Sequence, residues 1–215
     1  MKEKNKAQLI DSLVEDLEPV MPVRHVLLSA QFWLITAVIL SAGLAWMLGP
    51  YREGALDQLL LSQQFSLETL VGVVAIVALG IAGFRSAIPS GGANFKKGLW
   101  PLAIVFIWMA FYLYGLVEPA LAASELGKRD HCYLETFVMS LVPLLLGLNW
   151  AIKKWPVNPV QTGLLLGMAS GLMSAMVMQF ACMYDPIHAL IFHILLGLSV
   201  GIVGAFLAKK MAARR

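Results

Sequence analysis

Residues 163–204 read GLLLGMASGLMSAMVMQFACMYDPIHALIFHILLGLSVGIVG, two apolar runs joined by a short polar turn at Cys182–His188. Gly163, Gly167, Gly171 and Ala175 recur every fourth position, which draws one stripe along a helix. Gly197, Gly201 and Ala205 repeat the spacing on the following run. Small residues at this interval let two helix backbones approach closely where lipid removes the hydrophobic drive for packing. The stretch therefore predicts a tightly packed helical hairpin, with Gly163, Gly167, Gly171, Gly197 and Gly201 at its seam. Its turn carries a thiol, a carboxylate and an imidazole within seven residues, and a second imidazole, His193, follows deeper in the apolar run.

The rest of the chain has the same character. Hydrophobic residues make up 59% of the 215 positions and charged residues 13%, with a mean hydropathy of +0.76. Such a balance belongs to membrane proteins rather than soluble domains. Runs at 26–48, 67–84, 98–117, 133–152, 161–182 and 187–208 are each long enough to cross a hydrocarbon layer about 30 Å thick as a helix. The expected fold is an all-α, six-helix transmembrane bundle. Three parts follow: a cytoplasmic arm over residues 1–25, a transmembrane domain over 26–208 and a basic tail over 209–215. The acidic head is unlike a signal-peptide n-region and is read as retained.

Lysine and arginine set the expected orientation, because short basic loops stay in the cytoplasm. Of the 16 basic residues, only Arg52, Lys128 and Arg129 fall on the side opposite the termini. Both termini are thus expected inside, at the inner membrane of a bacterium. The net charge of +3 needs no nucleic acid to explain it.

Residues 7–18, AQLIDSLVEDLE, place Leu9, Ile10, Leu13, Val14 and Leu17 on one helical stripe. Asp11, Glu15, Asp16 and Glu18 lie largely off it, and Pro19 and Pro22 end the pattern. A helix this short is marginal alone in water and needs a partner. Four acids and no base suit an anionic inner leaflet poorly and a basic groove on a cytoplasmic protein well. The third run, rich in Trp100, Phe106, Trp108, Phe111, Tyr112 and Tyr114, is expected to turn its rings to lipid and interface, and Pro101 and Pro143 to sit within spans. No charged residue is expected in mid-membrane, with His193 the one ionisable candidate.

The two cysteines, Cys132 and Cys182, fall at similar depth on the outer side. Three readings stay open: a structural disulfide in an oxidising compartment, a reversible thiol pair that senses oxidant or metal, and two inert buried thiols. His131 and His188 could join the cysteines as ligands for zinc, cadmium or cuprous ion. His188 and His193 stand five apart, about 140° around an α-helix, and so are not expected to face one ion. Asp185 before Pro186 is a helix start, with the carboxylate as cap, and is a weaker ligand candidate.

The head LIDSLVEDLEPV, the cysteine before the fourth run and the segment ACMYDPIHALIFH are together similar to the negative-regulator-of-sigma-F (NrsF) family, over essentially the whole chain. The resemblance implies an inner-membrane anti-sigma factor that holds an extracytoplasmic-function (ECF) sigma factor and releases it under oxidative or heavy-metal stress. It implies Cys132 and Cys182 as sensing thiols, with Asp185, His188 and His193 in the same segment. It also implies the head, through Leu9 to Leu17, as the sigma-binding arm. No enzyme activity and no resident cofactor follow, only transient heavy-metal binding. Two other classes remain as alternatives: a membrane thiol-disulfide oxidoreductase, disfavoured by the lack of CxxC, and a small metal or solute transporter.

Overall fold

A computed structural model describes residues 11, 14, 25–89, 99–122 and 124–214. It is all helical, 77% helix, with no strand among the described residues. The helices are α1 (Val26–Leu48), α2 (Ala55–Leu61), α3 (Gln63–Ser86), α4 (Pro101–Tyr114), α5 (Cys132–Ile152) and α6 (Pro159–Ala181). The last, α7, runs over Pro186–Ala212.

Five of these, α1, α3, α5, α6 and α7, are long and apolar enough to cross a membrane. That corrects the expected count of six. The run at 98–117 yields only the 14 residues of α4, about 21 Å of helix against a hydrocarbon core of about 30 Å. Pro101 does not sit inside a span but opens α4 at its first turn, where its missing N–H costs nothing. Beyond Tyr114 the chain loosens into turns, with Leu116 N–H donating to the Leu113 carbonyl and Val117 N–H to that of Tyr114.

Helix starts follow from local chemistry. Asn158 caps α6 by accepting from Gln161 N–H at 3.1 Å, with Pro159 at the first position. Ser62 caps α3 through Phe65 N–H at 3.3 Å. This cap starts α3 four residues ahead of the expected span and keeps the preceding LDQLLL run as the separate helix α2.

The axis of the bundle is α6, buried along nearly its whole length. Its glycine stripe meets α7: Gly163 lies on Gly204, Gly167 on Val200 and Gly201, and Gly171 on Gly197. A Cβ added at Gly167 would stand 2.5 Å from the Val200 carbonyl oxygen, and one at Gly197 would stand 2.7 Å from that of Gly171. No side chain fits there, so the seam is backbone against backbone. The other face of α6 takes α3 and α5, where Leu165, Leu166, Ala169 and Leu172 join Leu79, Phe84, Leu144 and Leu148 in the main core.

The aromatics of α4 divide. Phe106 and Tyr114 point outward, while Trp108 and Tyr112 are fully buried in the core, against the expectation of lipid-facing rings. Gly72 of α3 leaves room that Trp108 fills, and Tyr112 packs edge-on against Trp108 with ring centroids 6.2 Å apart. Outward faces are apolar as well, with Phe32, Ile35 and Ile39 on α1 and Ile202 and Phe206 on α7 largely exposed.

Candidate functional site

The end of the bundle where α5 begins and α6 ends is organised by an arginine. Arg129 donates from Nη2 to the carbonyls of Gly49 and Pro50, each at 2.8 Å, and from Nη1 to Glu135 at 2.6 Å. It thereby ties the C-terminal end of α1 to the first turn of α5. Cys132 opens that turn and points inward, 2% exposed. Cys182 ends α6 in extended backbone, its N–H donating to the Met178 carbonyl at 2.8 Å, and is likewise buried.

The chain then reverses. Asp185 caps α7 by accepting from Ile187 N–H at 3.1 Å, with Pro186 at the first helical position. The carboxylate is thus committed to the backbone. One turn later α7 departs from α geometry, and Ala189–Leu195 is a π-helix. A π turn bonds residue i to i+5, so residues five apart stack on one side. His188 and His193 therefore share a face, their rings 5.0 Å apart and perpendicular. The α-helical spacing that separates them by about 140° does not apply here.

Four side chains converge as a result. Ligand atoms of Cys132, Cys182, His188 and His193 all lie within 4.8 Å of one another. His188 Nε2 is 3.1 Å from the Cys132 sulphur and 3.5 Å from that of Cys182. Both thiols are free. His193 is 1% exposed and neither of its ring nitrogens has a hydrogen-bond partner. The Cys182 thiol is held below the ordinary thiol range, first by the neighbouring Cys132 thiol and then by the His188 imidazole, against the opposing effect of burial. His131, by contrast, stays outside the group as the exposed residue before α5.

Two soft sulphurs and two imidazoles are a donor set that zinc, cadmium and cuprous ion accept. The residues fit such an ion on a further ground: a buried imidazole with both nitrogens unpaired leaves polar atoms that a metal would satisfy. The same proximity brings the thiols within reach of a disulfide.

Behind this group lies polar chemistry that the sequence reading missed. Glu68 on α3 is fully buried, accepting from the Tyr184 hydroxyl at 3.2 Å and from Gln64 Nε2 at 3.3 Å. Tyr184 is held above the usual phenol range by burial and by the Glu68 carboxylate. Arg52 is also buried. Both charges are thus buried near helix ends, Glu68 in the second turn of α3 and Arg52 in the loop between α1 and α2. The signal available was Glu68 standing near the start of a span, opposite a turn containing Tyr184.

Of the arm residues, Asp11 and Val14 are helical and exposed, while Leu9, Ile10, Leu13, Glu15, Asp16 and Leu17 lie outside the described residues.

A family model described as negative regulator of sigma F, NrsF, matches residues 13–213. No curated protein and no solved structure matches the chain significantly. With nearly its whole length matched, the chain belongs to the NrsF family of negative regulators of a sigma factor.

Proposed function

We propose that this NrsF-family chain is a membrane-embedded anti-sigma factor of the ECF class, switched by the cluster of Cys132, Cys182, His188 and His193. The observation that carries the reading is the convergence of these four ligand atoms within 4.8 Å, with three of the four side chains buried and His188 half-buried. Membrane residence is supported by five long apolar helices and by the apolar side chains they turn outward. The basic-residue bias supports an orientation with both termini in the cytoplasm and the cluster toward the periplasm.

The chemistry takes one of two inputs. With a peroxide, the Cys182 thiolate attacks one oxygen, forming a sulfenic acid and releasing hydroxide. Cys132 passes its proton through His188 to the sulfenic hydroxyl, and its sulphur displaces that group as water, closing a disulfide. Two electrons pass from the thiols to the peroxide, whose oxygens leave as two waters once the hydroxide takes up the proton that Cys182 released on ionising. With a thiophilic cation, the four side chains supply a closed set of two sulphur and two nitrogen donors, and the thiol protons are released.

Either event redefines the distance between the start of α5 and the end of α6. The glycine seam couples α6 rigidly to α7 down to Gly163 and Gly204, so a shift at one end is carried to the other rather than absorbed. The arm at residues 7–18 then loses affinity for the sigma factor, about tenfold for each 1.4 kcal/mol of differential binding. No catalytic turnover is part of this reading.

The test is a reporter of sigma-dependent transcription with peroxide or cadmium as input. The wild type releases transcription on challenge, and the Cys132→Ser, Cys182→Ser pair stays repressed. Normal induction in the double variant would reject the cluster as sensor. A Leu13→Glu variant that still repressed would reject the arm.

A further inference from the structure

Between α1 and α3, with α6 as floor, lies an open groove of about 940 Å³. Its walls are apolar, and Ile35, Val38, Ile39 and Val77 stand exposed along its mouth. The loop before α2 and the first turn of α2 close one end with the only two charged side chains in the lining, Arg52 and Asp57.

Arg52 is 4% exposed, and its Nε and Nη2 are buried without a hydrogen-bond partner. No carboxylate among the described residues pairs with it in a salt bridge. Its guanidinium is 6.0 Å from the ring centres of Phe65 and Tyr184, and these faces offset only part of the cost of burying a charge. Burial pushes its pKa down from the ordinary range, yet an arginine does not discharge in proteins. The groove thus ends beside a buried cation that no carboxylate among the described residues pairs, with the Cys182 sulphur its main charged neighbour. Asp57 sits at the same end, exposed to solvent.

We infer that this groove binds a zwitterionic glycerophospholipid of the phosphatidylethanolamine type, its phosphodiester on Arg52, its ammonium at Asp57 and its acyl chain along α1 and α3. Guanidinium and phosphate match as fork to oxyanion, the pairing most able to satisfy a desolvated arginine. Asp57 distinguishes the headgroup: it attracts an ammonium and repels a second anionic charge. The volume lies within the range of about 300–1,000 Å³ usual for bound small molecules. The exposed mouth gives the acyl chain lateral entry from the bilayer. The inference rests on the membrane residence proposed above and is independent of which face is periplasmic.

The test uses the full chain in native membranes, extracted and exchanged through mild detergent, with retained lipid measured by native mass spectrometry. The wild type is expected to keep a stoichiometric phosphatidylethanolamine. Arg52→Met is expected to lower retention by about tenfold or more. Val38→Trp plugs the mouth from an exposed position without touching the charge, and is expected to do the same with an unchanged melting temperature. Asp57→Asn is expected to keep a lipid but to lose the preference for phosphatidylethanolamine over phosphatidylglycerol. A membrane-inserted wild type without retained lipid overturns the inference. So does retention unaffected by Val38→Trp, or a wild-type preference for phosphatidylglycerol or free fatty acid. A chain recovered in the soluble fraction would instead reject the membrane reading beneath it.

Discussion

Cys132 and His188 are separated by 56 residues in sequence and by 3.1 Å between sulphur and Nε2. The contact joins the first turn of α5 to the first turn of α7, and the Cys182 sulphur approaches the same nitrogen at 3.5 Å. His188 is therefore the hub of the cluster, its Nε2 within reach of both sulphurs.

Removing that hub should separate the two inputs. In His188→Ala both thiols remain, so oxidant still closes a disulfide, more slowly because the nearby base is gone. Metal affinity should fall by at least about tenfold with one of four donors lost. Thiol titration after peroxide and competition against a chromophoric chelator measure the two effects on the same preparation.

The π turn makes its own prediction. Deleting Ile191, an exposed residue inside Ala189–Leu195, should let the segment relax to an α-helix and swing His193 off the shared face. Metal affinity should drop about as far as in His193→Ala, while the two cysteines still cross-link with a short bifunctional thiol reagent. Wild-type affinity in the deletion would mean that the π geometry does not position His193.

Reactivity should depend on pH in a defined direction. The Cys182 pKa is lowered in the folded protein, so its thiolate is present below the ordinary thiol midpoint of about 8.5. Modification by a small methanethiosulfonate, followed by mass spectrometry, should have its midpoint below that value at Cys182. Replacing Cys132 or His188 with alanine removes groups that stabilise the thiolate, and the midpoint should rise in both.

The seam offers a purely structural prediction. Gly171 faces the Gly197 backbone with no room for a Cβ, so Gly171→Val forces α6 and α7 apart and should cost about 1–3 kcal/mol. Gly43 on α1 has nothing within 4 Å of an added Cβ, and Gly43→Val there should leave the melting temperature in detergent nearly unchanged. Equal melting temperatures for the two variants would refute the packing role of the stripe.

Much of this was legible from residue order alone. Long apolar runs define the helices, fourfold small-residue spacing defines the α6–α7 seam, and Asp185-Pro186 defines the cap that restarts the chain. These features are local: each depends on neighbours within a turn or two, and periodicity records them. The sequence also marks Cys132, Cys182, His188 and His193 as chemically notable. Yet it assigns the two histidines to different faces, because a 3.6-residue period is the default for an apolar helix.

Only the folded chain decided the rest. The π turn over Ala189–Leu195 exists where α7 must keep Gly197 on Gly171 while holding His188 beside the two thiols. An extra residue in one turn satisfies both contacts at once, and no local pattern encodes that compromise. The burial of Arg52 and Glu68 has the same origin. Both stand near helix ends that sequence reading places at a solvated boundary, and it is the packing of α3, α6 and Tyr184 around them that excludes water.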